Sequence, residues 1–260
     1  MPPLDPSAEF EQRLAELGIE LESGELETLG RYLALLMVTN RVINLTAIDD
    51  AAEAWTRHVL DSLTLLPVLA EAEPEAGRDR LRVLDVGSGG GLPGLVLAIA
   101  MPDADFTLLD ATAKKCRFLQ HAASELALTN VDVACARAEA AGHERGERVD
   151  RGGVARREGA MRGAFDVVTA RAVGRLATLA ELTVPFARVG GLCVLVKGAK
   201  AEEELEEARA GLHLLHASHA GTVETPTGRI VVLEKRRATP RDYPRADGQP
   251  KRSPLGIEKD

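Results

Sequence analysis

The chain has 260 residues, of which 45% are hydrophobic and 28% are charged, a balance that is ordinary for a folded protein and argues against a largely disordered one. The formal net charge of −8, taken over the whole chain, argues against a nucleic-acid partner. The longest apolar stretch is too short to span a bilayer, and the N-terminus lacks the basic and apolar regions of a secretory signal. A cytoplasmic protein with no membrane partner is therefore expected.

The cysteines give a second exclusion. Cys116, Cys135 and Cys193 are far apart and show no Cys-x-x-Cys spacing. This argues against a disulfide framework and against a thiolate metal site, so no metal is expected. Three such thiols suit a reducing compartment.

The first 75 residues predict helices. Apolar residues recur at helical spacing in two stripes, and a third helix is predicted from near Asp49 to Pro67. The charged segment Glu71–Arg80 contains a proline and a glycine and marks a boundary. The sequence thus predicts an N-terminal helical extension over residues 1–75, followed by the main domain over residues 76–238.

In the main domain, short β-branched runs alternate with helical segments. Strands are predicted at Arg82–Val86, Asp105–Asp110, Val131–Cys135, Phe165–Ala170, Leu192–Lys197 and Arg229–Glu234. Such alternation predicts an α/β fold with a doubly wound, mostly parallel sheet and right-handed crossovers. We expect the last strand to pair antiparallel with residues 213–223, at or near the sheet edge.

Two segments do not fit this alternation. Residues 142–163 are rich in Arg, Glu and Gly, lack apolar periodicity and form an inserted loop between the third and fourth strands. Residues 235–260 are basic and Pro-rich, and we expect no regular structure there. The tail is placed at residues 239–260.

The most informative motif is DVGSGGG at residues 85–91, directly after the first strand. Only glycine lets the backbone turn this sharply and approach a ligand closely, and the following helix offers free amide donors. In an open α/β sheet, ligands bind beyond the carboxyl ends of the strands. The motif therefore predicts a ligand-binding turn.

Two ligand fingerprints overlap in this turn. GGGLPG at residues 89–94 matches the G-x-G-x-x-G pattern of dinucleotide-binding proteins, which would indicate a nicotinamide-dependent oxidoreductase. The series Asp85-x-Gly87-x-Gly89-x-Gly91 resembles the loop of S-adenosylmethionine-dependent methyltransferases. Asp110 suits either ligand, because a carboxylate there can accept both ribose hydroxyls. Asp85 favours S-adenosylmethionine, since its charge would repel a pyrophosphate but could help hold the cationic amino acid part.

Beyond this loop, several strings resemble one methyltransferase family. They are NLT at 44–46, HVLDSL at 58–63, GLPG at 91–94, Asp110 with Lys114 and Lys115, RAE at 137–139, ARA at 170–172, Lys197-Gly198, and the tail strings at 239–245 and 254–255. Together they are similar to the bacterial 16S ribosomal RNA guanine-N7 methyltransferases, also called glucose-inhibited division protein B. The resemblance covers about residues 32 to 255.

The resemblance implies a class I methyltransferase with S-adenosylmethionine as cofactor and 16S rRNA, or a small-subunit particle, as partner; a monomer is favoured. Residues implied or predicted to bind the cofactor are Gly87, Gly89, Leu92, Asp110, Ala138, Glu139 and Arg171. Asn44, Arg137 and Lys197 match positions that the resemblance implies matter for activity or RNA engagement. They are the catalytic candidates.

Methylation at guanine N7 requires no general base. N7 is an unprotonated acceptor, so no proton needs to leave before it attacks the sulfonium methyl. The protein's task would be to position N7 and the methyl group in line, with the base held in an apolar or stacking pocket. Alternatives that stay open are a methyltransferase of another substrate and a non-enzymatic nucleotide-binding regulator. His58 and Asp61, three residues apart on one predicted helix, are either a structural hydrogen-bonded pair that fixes the N-terminal helices to the sheet or substrate contacts.

The charge is unevenly distributed along the chain. Residues 1–75 carry 15 acidic and 4 basic side chains, whereas residues 235–260 carry 4 acidic and 8 basic ones. We therefore expect a basic strip of Lys114, Lys115, Arg137, Lys197 and the tail around the cofactor mouth, with salt-sensitive affinity for RNA. The net charge of the whole chain does not exclude a nucleic-acid substrate.

Overall fold

The computed structural model describes residues 2–143, 161–171 and 174–257, and between residues 143 and 161 it describes only the backbone of two short strands. Its helices are α1 (Ala8–Glu16), α2 (Ser23–Ile43), α3 (Ala51–Ala54), a π-helical turn (Trp55–Leu60), α4 (Asp61–Leu63), α5 (Leu66–Ala70), α6 (Gly94–Ala100), α7 (Ala113–Glu125), α8 (Ala138–Ala141), α9 (Leu176–Thr183), α10 (Ala201–Leu215) and α11 (Gln249–Arg252). Its strands are β1 (Arg82–Val86), β2 (Asp105–Asp110), β3 (Val131–Cys135), β4 (Arg148–Val149), β5 (Ala155–Arg156), β6 (Phe165–Arg171), β7 (Ala187–Lys197), β8 (Ala217–Thr225) and β9 (Gly228–Lys235).

Seven of these strands form one sheet in the order β3-β2-β1-β6-β7-β9-β8. The first five run parallel, β9 pairs antiparallel with β7, and β8 pairs antiparallel with β9. The predicted fold class is confirmed, and the antiparallel hairpin places β8 at the edge with β9 next to it. The chain leaves the sheet in opposite directions from the neighbouring strands β1 and β6, which creates a crevice at their carboxyl ends.

The N-terminal helices share a hydrophobic core with the main domain. Phe10 and Trp55 pack ring against ring, with centroids 4.7 Å apart, in the same cluster as Leu95 of α6 and Leu119 of α7. The buried Tyr32 hydroxyl donates to the Gly90 carbonyl at 2.7 Å. The extension is thereby attached directly to the glycine turn.

The predicted third helix contains an irregular turn. Its middle, Trp55–Leu60, is π-helical, a local widening that is frequent at functional sites. This turn and α4 bring His58 and Asp61 to the carboxyl edge of the sheet, where both are buried.

The tail is ordered, so the expectation of no regular structure after residue 235 is wrong for the part that is described. Residues 236–257 fold back over α9 and include the short helix α11. Proline and charge do not prevent order here, because a buried carboxylate, Glu181, accepts hydrogen bonds from Arg245 at 2.6 to 3.1 Å. Much of the inserted loop 142–163 lies outside the described residues.

The sequence argued against a disulfide framework, and the structure shows one pair that the spacing did not indicate: Cys116 and Cys135 form a disulfide with their Cα atoms 5.8 Å apart. Cys135 ends β3 opposite Asp110 of β2, and Cys116 lies in the first turn of the helix that follows β2. Parallel strands end at the same edge, so residues distant in sequence meet there. Cys193 is a free, buried thiol. In the described part of the chain, no helix is long and apolar enough to cross a membrane.

Candidate active site

A cavity of about 870 Å³ opens at the carboxyl ends of the parallel strands. One end is lined by the glycine turn and by the residues that follow β2 and β3. The other end is lined by the N-terminal helices, the end of β6 and the turn between β8 and β9. Such a volume is in the range of small-molecule sites.

The glycine turn requires its glycines. Gly87, Gly89 and Gly91 have φ values of 76°, 57° and 93°, which side chains rarely tolerate. A Cβ on Gly91 would also meet Leu95 at 2.4 Å. The turn therefore presents bare backbone to the cavity, which suits close contact with a ligand.

Asp110 is fixed beside this turn. Its two carboxylate oxygens accept hydrogen bonds from the Gly89 amide at 3.0 Å and from the Thr112 amide at 2.8 Å. The side chain is 7% exposed and lines the cavity. Each oxygen keeps a second lone pair, so the carboxylate can still accept from a ribose hydroxyl.

Asp85 does not reach the cavity, so the structure does not support its predicted contact to the amino acid part of the cofactor. Its carboxylate is fully buried behind the turn, where it accepts from the Thr169 hydroxyl at 3.1 Å and the Gly94 amide at 3.2 Å. Burial raises the pKa of Asp85 to about 6. Asp85 therefore stabilises the glycine turn from the buried side, through these two hydrogen bonds.

At the same end of the cavity as the glycine turn, the segment that follows β3 contributes Arg137, Ala138 and Glu139 to the lining. The Glu139 carboxylate is 7% exposed and accepts a hydrogen bond from the Gly248 amide at 2.8 Å. Gly248 and Lys251 of the tail line the same cavity.

The opposite end is built around a buried ion pair. Arg171 Nη1 lies 3.0 Å from Asp61 Oδ2, and both side chains are largely buried. The second oxygen of Asp61 accepts from the Thr227 hydroxyl, and Arg171 also donates to the Arg57 carbonyl at 3.1 Å. A helix, a strand end and a hairpin turn thus meet at one carboxylate.

His58 lies next to this pair and is neutral near pH 7. Burial, followed by the positive charge of Arg171, lowers the pKa of His58 to about 4. Its Nε2 atom is 2.7 Å from the Thr46 hydroxyl, so the ring holds the segment after α2 against the cavity. His58 and Asp61 both line the cavity, but the expected hydrogen bond between them is not formed, because His58 contacts Thr46 and Asp61 accepts from Arg171 and Thr227.

The predicted RNA-engaging residues are placed unequally. Lys197 lines the cavity, but its amine contacts Glu204 at 2.6 Å and the Gly174 carbonyl at 2.7 Å. Arg137 lines the cavity and pairs with Asp247 at 3.3 Å, with both side chains more than half exposed.

Asn44 is exposed and does not line the cavity. It ends α2 in the left-handed conformation with φ 50°. The neighbouring turn is held by Asn40, whose side-chain oxygen accepts from the amides of Leu45 at 2.6 Å and Thr46 at 2.9 Å. Of the two lysines that follow Asp110, Lys115 lines the cavity.

All seven predicted cofactor residues line the cavity. Sequence reasoning did not single out Thr227, Gly248 or Lys251, which line the cavity from distant parts of the chain. It also did not single out Asn40, which holds the cavity-lining residues Leu45 and Thr46 by hydrogen bonds. For the two tail residues, Gly248 and Lys251, the sequence signal was the basic charge of the tail, which led us to expect the tail around the cavity mouth without indicating a particular residue.

Comparisons with known proteins agree with this geometry. The family model described as "GidB: rRNA small subunit methyltransferase G" matches residues 25–230. The chain is 50% identical over 242 residues to the ribosomal RNA small subunit methyltransferase G of Sorangium cellulosum, covering 93% of each chain. It is 38% identical to the protein of the same name from Streptococcus sanguinis, covering 95% of this chain and 98% of that one. A solved methyltransferase from Geobacter sulfurreducens is similar in fold, with a TM-score of 0.52, 13% identity and coverage of 88% and 98%.

Proposed function

The chain belongs to the GidB family of rRNA small subunit methyltransferases, and from that premise we propose that it transfers a methyl group from S-adenosylmethionine to N7 of a guanine in 16S rRNA. The observation that carries the proposal is that the glycine turn and Asp110 line the same cavity as the Asp61–Arg171 pair. One end has the features of a nucleoside site, and the other has room for a second reactant. With such a substrate, as naked RNA or as a small-subunit particle, the proposal includes a cytoplasmic location.

The residues present fit the cofactor. Gly87 and Gly89 present backbone without a side chain to the cavity, which leaves room for the ligand, and Asp110 offers acceptors for the ribose hydroxyls. Arg171 would hold the carboxylate of the cofactor's amino acid part, since guanidinium and carboxylate form charge-assisted pairs. When bound, S-adenosylmethionine supplies an electrophilic methyl group on a sulfonium centre.

The protein's own contribution is positioning and charge. Guanine N7 needs no general base, and His58, neutral and bonded to Thr46, is suited to holding the wall of the cavity. Methylation leaves a positive charge on the guanine ring. The Asp61 carboxylate, kept in place by Arg171 and Thr227, would offset that charge as it develops.

The decisive experiment compares 16S rRNA from cells with and without the gene by cleavage mapping at N7-methylguanosine. Loss of one cleavage site in the deletion strain, restored by the wild-type gene, supports the proposal. An unchanged pattern refutes the rRNA assignment. Calorimetry with S-adenosylmethionine and NAD tests the cofactor, and preferential binding of NAD would overturn it.

Arg171→Leu provides a test of the site itself. We expect it to lower rRNA methylation by about a hundredfold or more, because it removes a cofactor contact and leaves the largely buried Asp61 without its partner. Arg175→Leu is the matched control, since Arg175 is exposed and pairs only loosely with Glu207 at 3.7 Å. Equal activity of the two variants would contradict the assigned site.

A further inference from the structure

The disulfide joins two segments that line the cavity, one after β2 and one after β3. Cys135 is the last residue of β3, and the residues that follow it, 136–139, line the cavity. Cys116 lies in the first turn of α7, directly after Lys115, which lines the cavity together with Thr112. The Cα atoms of the two cysteines are 5.8 Å apart, a separation that a disulfide spans without backbone movement. One covalent bond therefore connects two walls of the same cavity.

The first turn of α7 has little local stabilisation. It carries Lys114 and Lys115 and no acidic residue, and lysines at a helix N-terminus oppose the helix dipole. Within the described residues, the Thr112 side chain before the helix makes no capping hydrogen bond. The disulfide holds this turn, and so does the Asp110 carboxylate, which accepts from the Thr112 amide at 2.8 Å. Loss of the disulfide should therefore loosen the first turn, whereas the next turn stays packed through the buried Phe118.

Both cysteines contact the residue that stands beside the glycine turn, Asp110. In the pairing of β2 with β3, Asp110 lies opposite Cys135. The Asp110 carbonyl oxygen is 3.2 Å from Cys116 Sγ, and its carboxylate accepts from the Gly89 amide at 3.0 Å. A movement of either cysteine is thus transmitted to this carboxylate. Because a ligand that binds an ordered cavity loses less entropy in ordering it, the disulfide form should bind more tightly.

The two sulfur atoms differ in access. Cys135 is exposed, whereas Cys116 is 3% exposed, so exchange with a small thiol begins at Cys135. The small thiolate bonds to Cys135 Sγ, the disulfide bond breaks, and Cys116 Sγ leaves with the electron pair and takes up a proton. A second thiolate then bonds to the small-molecule sulfur and releases Cys135, which is protonated in turn. The protein gains two electrons and two protons, two small thiols become one disulfide, and the reverse reaction restores the bond.

We propose that Cys116 and Cys135 form a thiol–disulfide switch, through which the redox state of a low-molecular-weight thiol sets the affinity of the cavity for S-adenosylmethionine. The disulfide form orders the first turn of α7 and binds more tightly than the dithiol form. Disulfides in a reducing compartment are usually transient or redox-sensing, which agrees with the cytoplasmic location that the proposed function includes. The inference rests on the proposed cofactor but not on the substrate that receives the methyl group.

Calorimetry with S-adenosylhomocysteine compares two forms of the full-length wild-type chain, prepared with glutathione disulfide or with a phosphine reductant. Mass spectrometry of alkylated peptides establishes the state of each cysteine. We expect the disulfide form to bind at least about fivefold more tightly, the lower end of common couplings between two sites. Cys135→Ser, which cannot form the bond, should bind like reduced wild type in both buffers. Cys193→Ala is the matched control, because it removes the free buried thiol and should keep the fivefold difference.

Two further measurements test the switch without relying on a variant. By linkage, saturating S-adenosylhomocysteine should lower the equilibrium constant for reduction of the disulfide by glutathione by the same factor, at least about fivefold. In ligand-free wild-type protein, reduction should speed amide hydrogen exchange in residues 112–117 at least about tenfold and leave β7 and β9 unchanged.

Equal affinity of the two forms, tighter binding by the reduced form, unchanged exchange in residues 112–117, or failure of glutathione disulfide to join Cys116 to Cys135 overturns the inference. If affinity follows the disulfide but rRNA is not methylated, the proposed function is refuted and the switch stands. If rRNA is methylated and the two forms bind equally, the switch is refuted alone. If neither form binds S-adenosylhomocysteine, both proposals fall.

Discussion

Replacing Asp85 with asparagine separates a structural carboxylate from a ligand-binding one. The side chain is fully buried and accepts hydrogen bonds from Thr169 and Gly94. Asparagine has nearly the same shape and can keep both contacts, because a hydroxyl can donate or accept. The variant therefore removes a titrating charge while changing the packing little.

The expected pH-dependent difference in stability between wild type and Asp85→Asn follows from the pKa of Asp85, which burial raises from 3.8 to about 6. A raised pKa means that the folded state binds the proton more tightly than the unfolded state. The stability from that proton is fully present below pH 3.8 and is lost as the pH rises through about 6. Between pH 8 and pH 5, wild-type protein should gain about 1.4 kcal/mol of unfolding free energy relative to Asp85→Asn, since each pKa unit corresponds to about 1.4 kcal/mol.

Urea unfolding of both proteins at pH 5 and pH 8 measures this difference. Asp105→Asn is a matched control, because that carboxylate lies in β2 with a side chain 55% exposed, where solvent screening keeps charge effects small. Calorimetry at pH 8 should give an affinity for S-adenosylmethionine within about threefold of wild type, since Asp85 does not line the cavity. A loss of affinity for S-adenosylmethionine above about tenfold, without the pH-dependent difference in stability, would refute the structural role of Asp85. It would favour instead a direct contact between Asp85 and the amino acid part of the cofactor.

Three further changes test the packing around the site. Glu181→Gln should lower the free energy of unfolding by about 3–5 kcal/mol in urea titrations, because it breaks the buried ion pair with Arg245 of the tail. The control Glu206→Gln, at an exposed carboxylate, should lower it by less than about 1 kcal/mol. Equal losses in the two variants would show that the Glu181 pair does not hold the tail in place. Cys135→Ser should lower stability by about 2–4 kcal/mol under oxidising conditions, because a 19-residue disulfide loop is lost, and an equal loss in the presence of reductant would contradict this cause. The stability of His58→Gln relative to wild type should be higher at pH 5 than at pH 8. The reason is that the lowered pKa of His58 makes wild-type protein lose stability as the pH falls from 6.5 toward about 4. A nuclear magnetic resonance titration that shows His58 protonated at pH 6 would contradict this reasoning.

The sequence by itself determined the fold class and most of the residues that line the glycine-turn side of the cavity. Strand positions, the glycine turn and Asp110 follow from local patterns, because period-two or continuous apolar runs and positive-φ glycines carry their own signal. Every predicted cofactor residue lines the cavity. These residues lie within a few positions of a strand end. The carboxyl ends of parallel strands lie at one edge of the sheet, so these residues come together without any specific long-range contact.

Tertiary structure alone decided the remaining features. Asp85 and Asp110 both follow apolar strand residues, yet one carboxylate is buried behind the turn and the other lines the cavity. The pairing of Cys116 with Cys135 and the docking of Gly248 on Glu139 join segments with no local signal for each other. Sequence patterns report spacing along one element, whereas burial, pKa and contact depend on which elements pack against each other, and only the folded chain sets that.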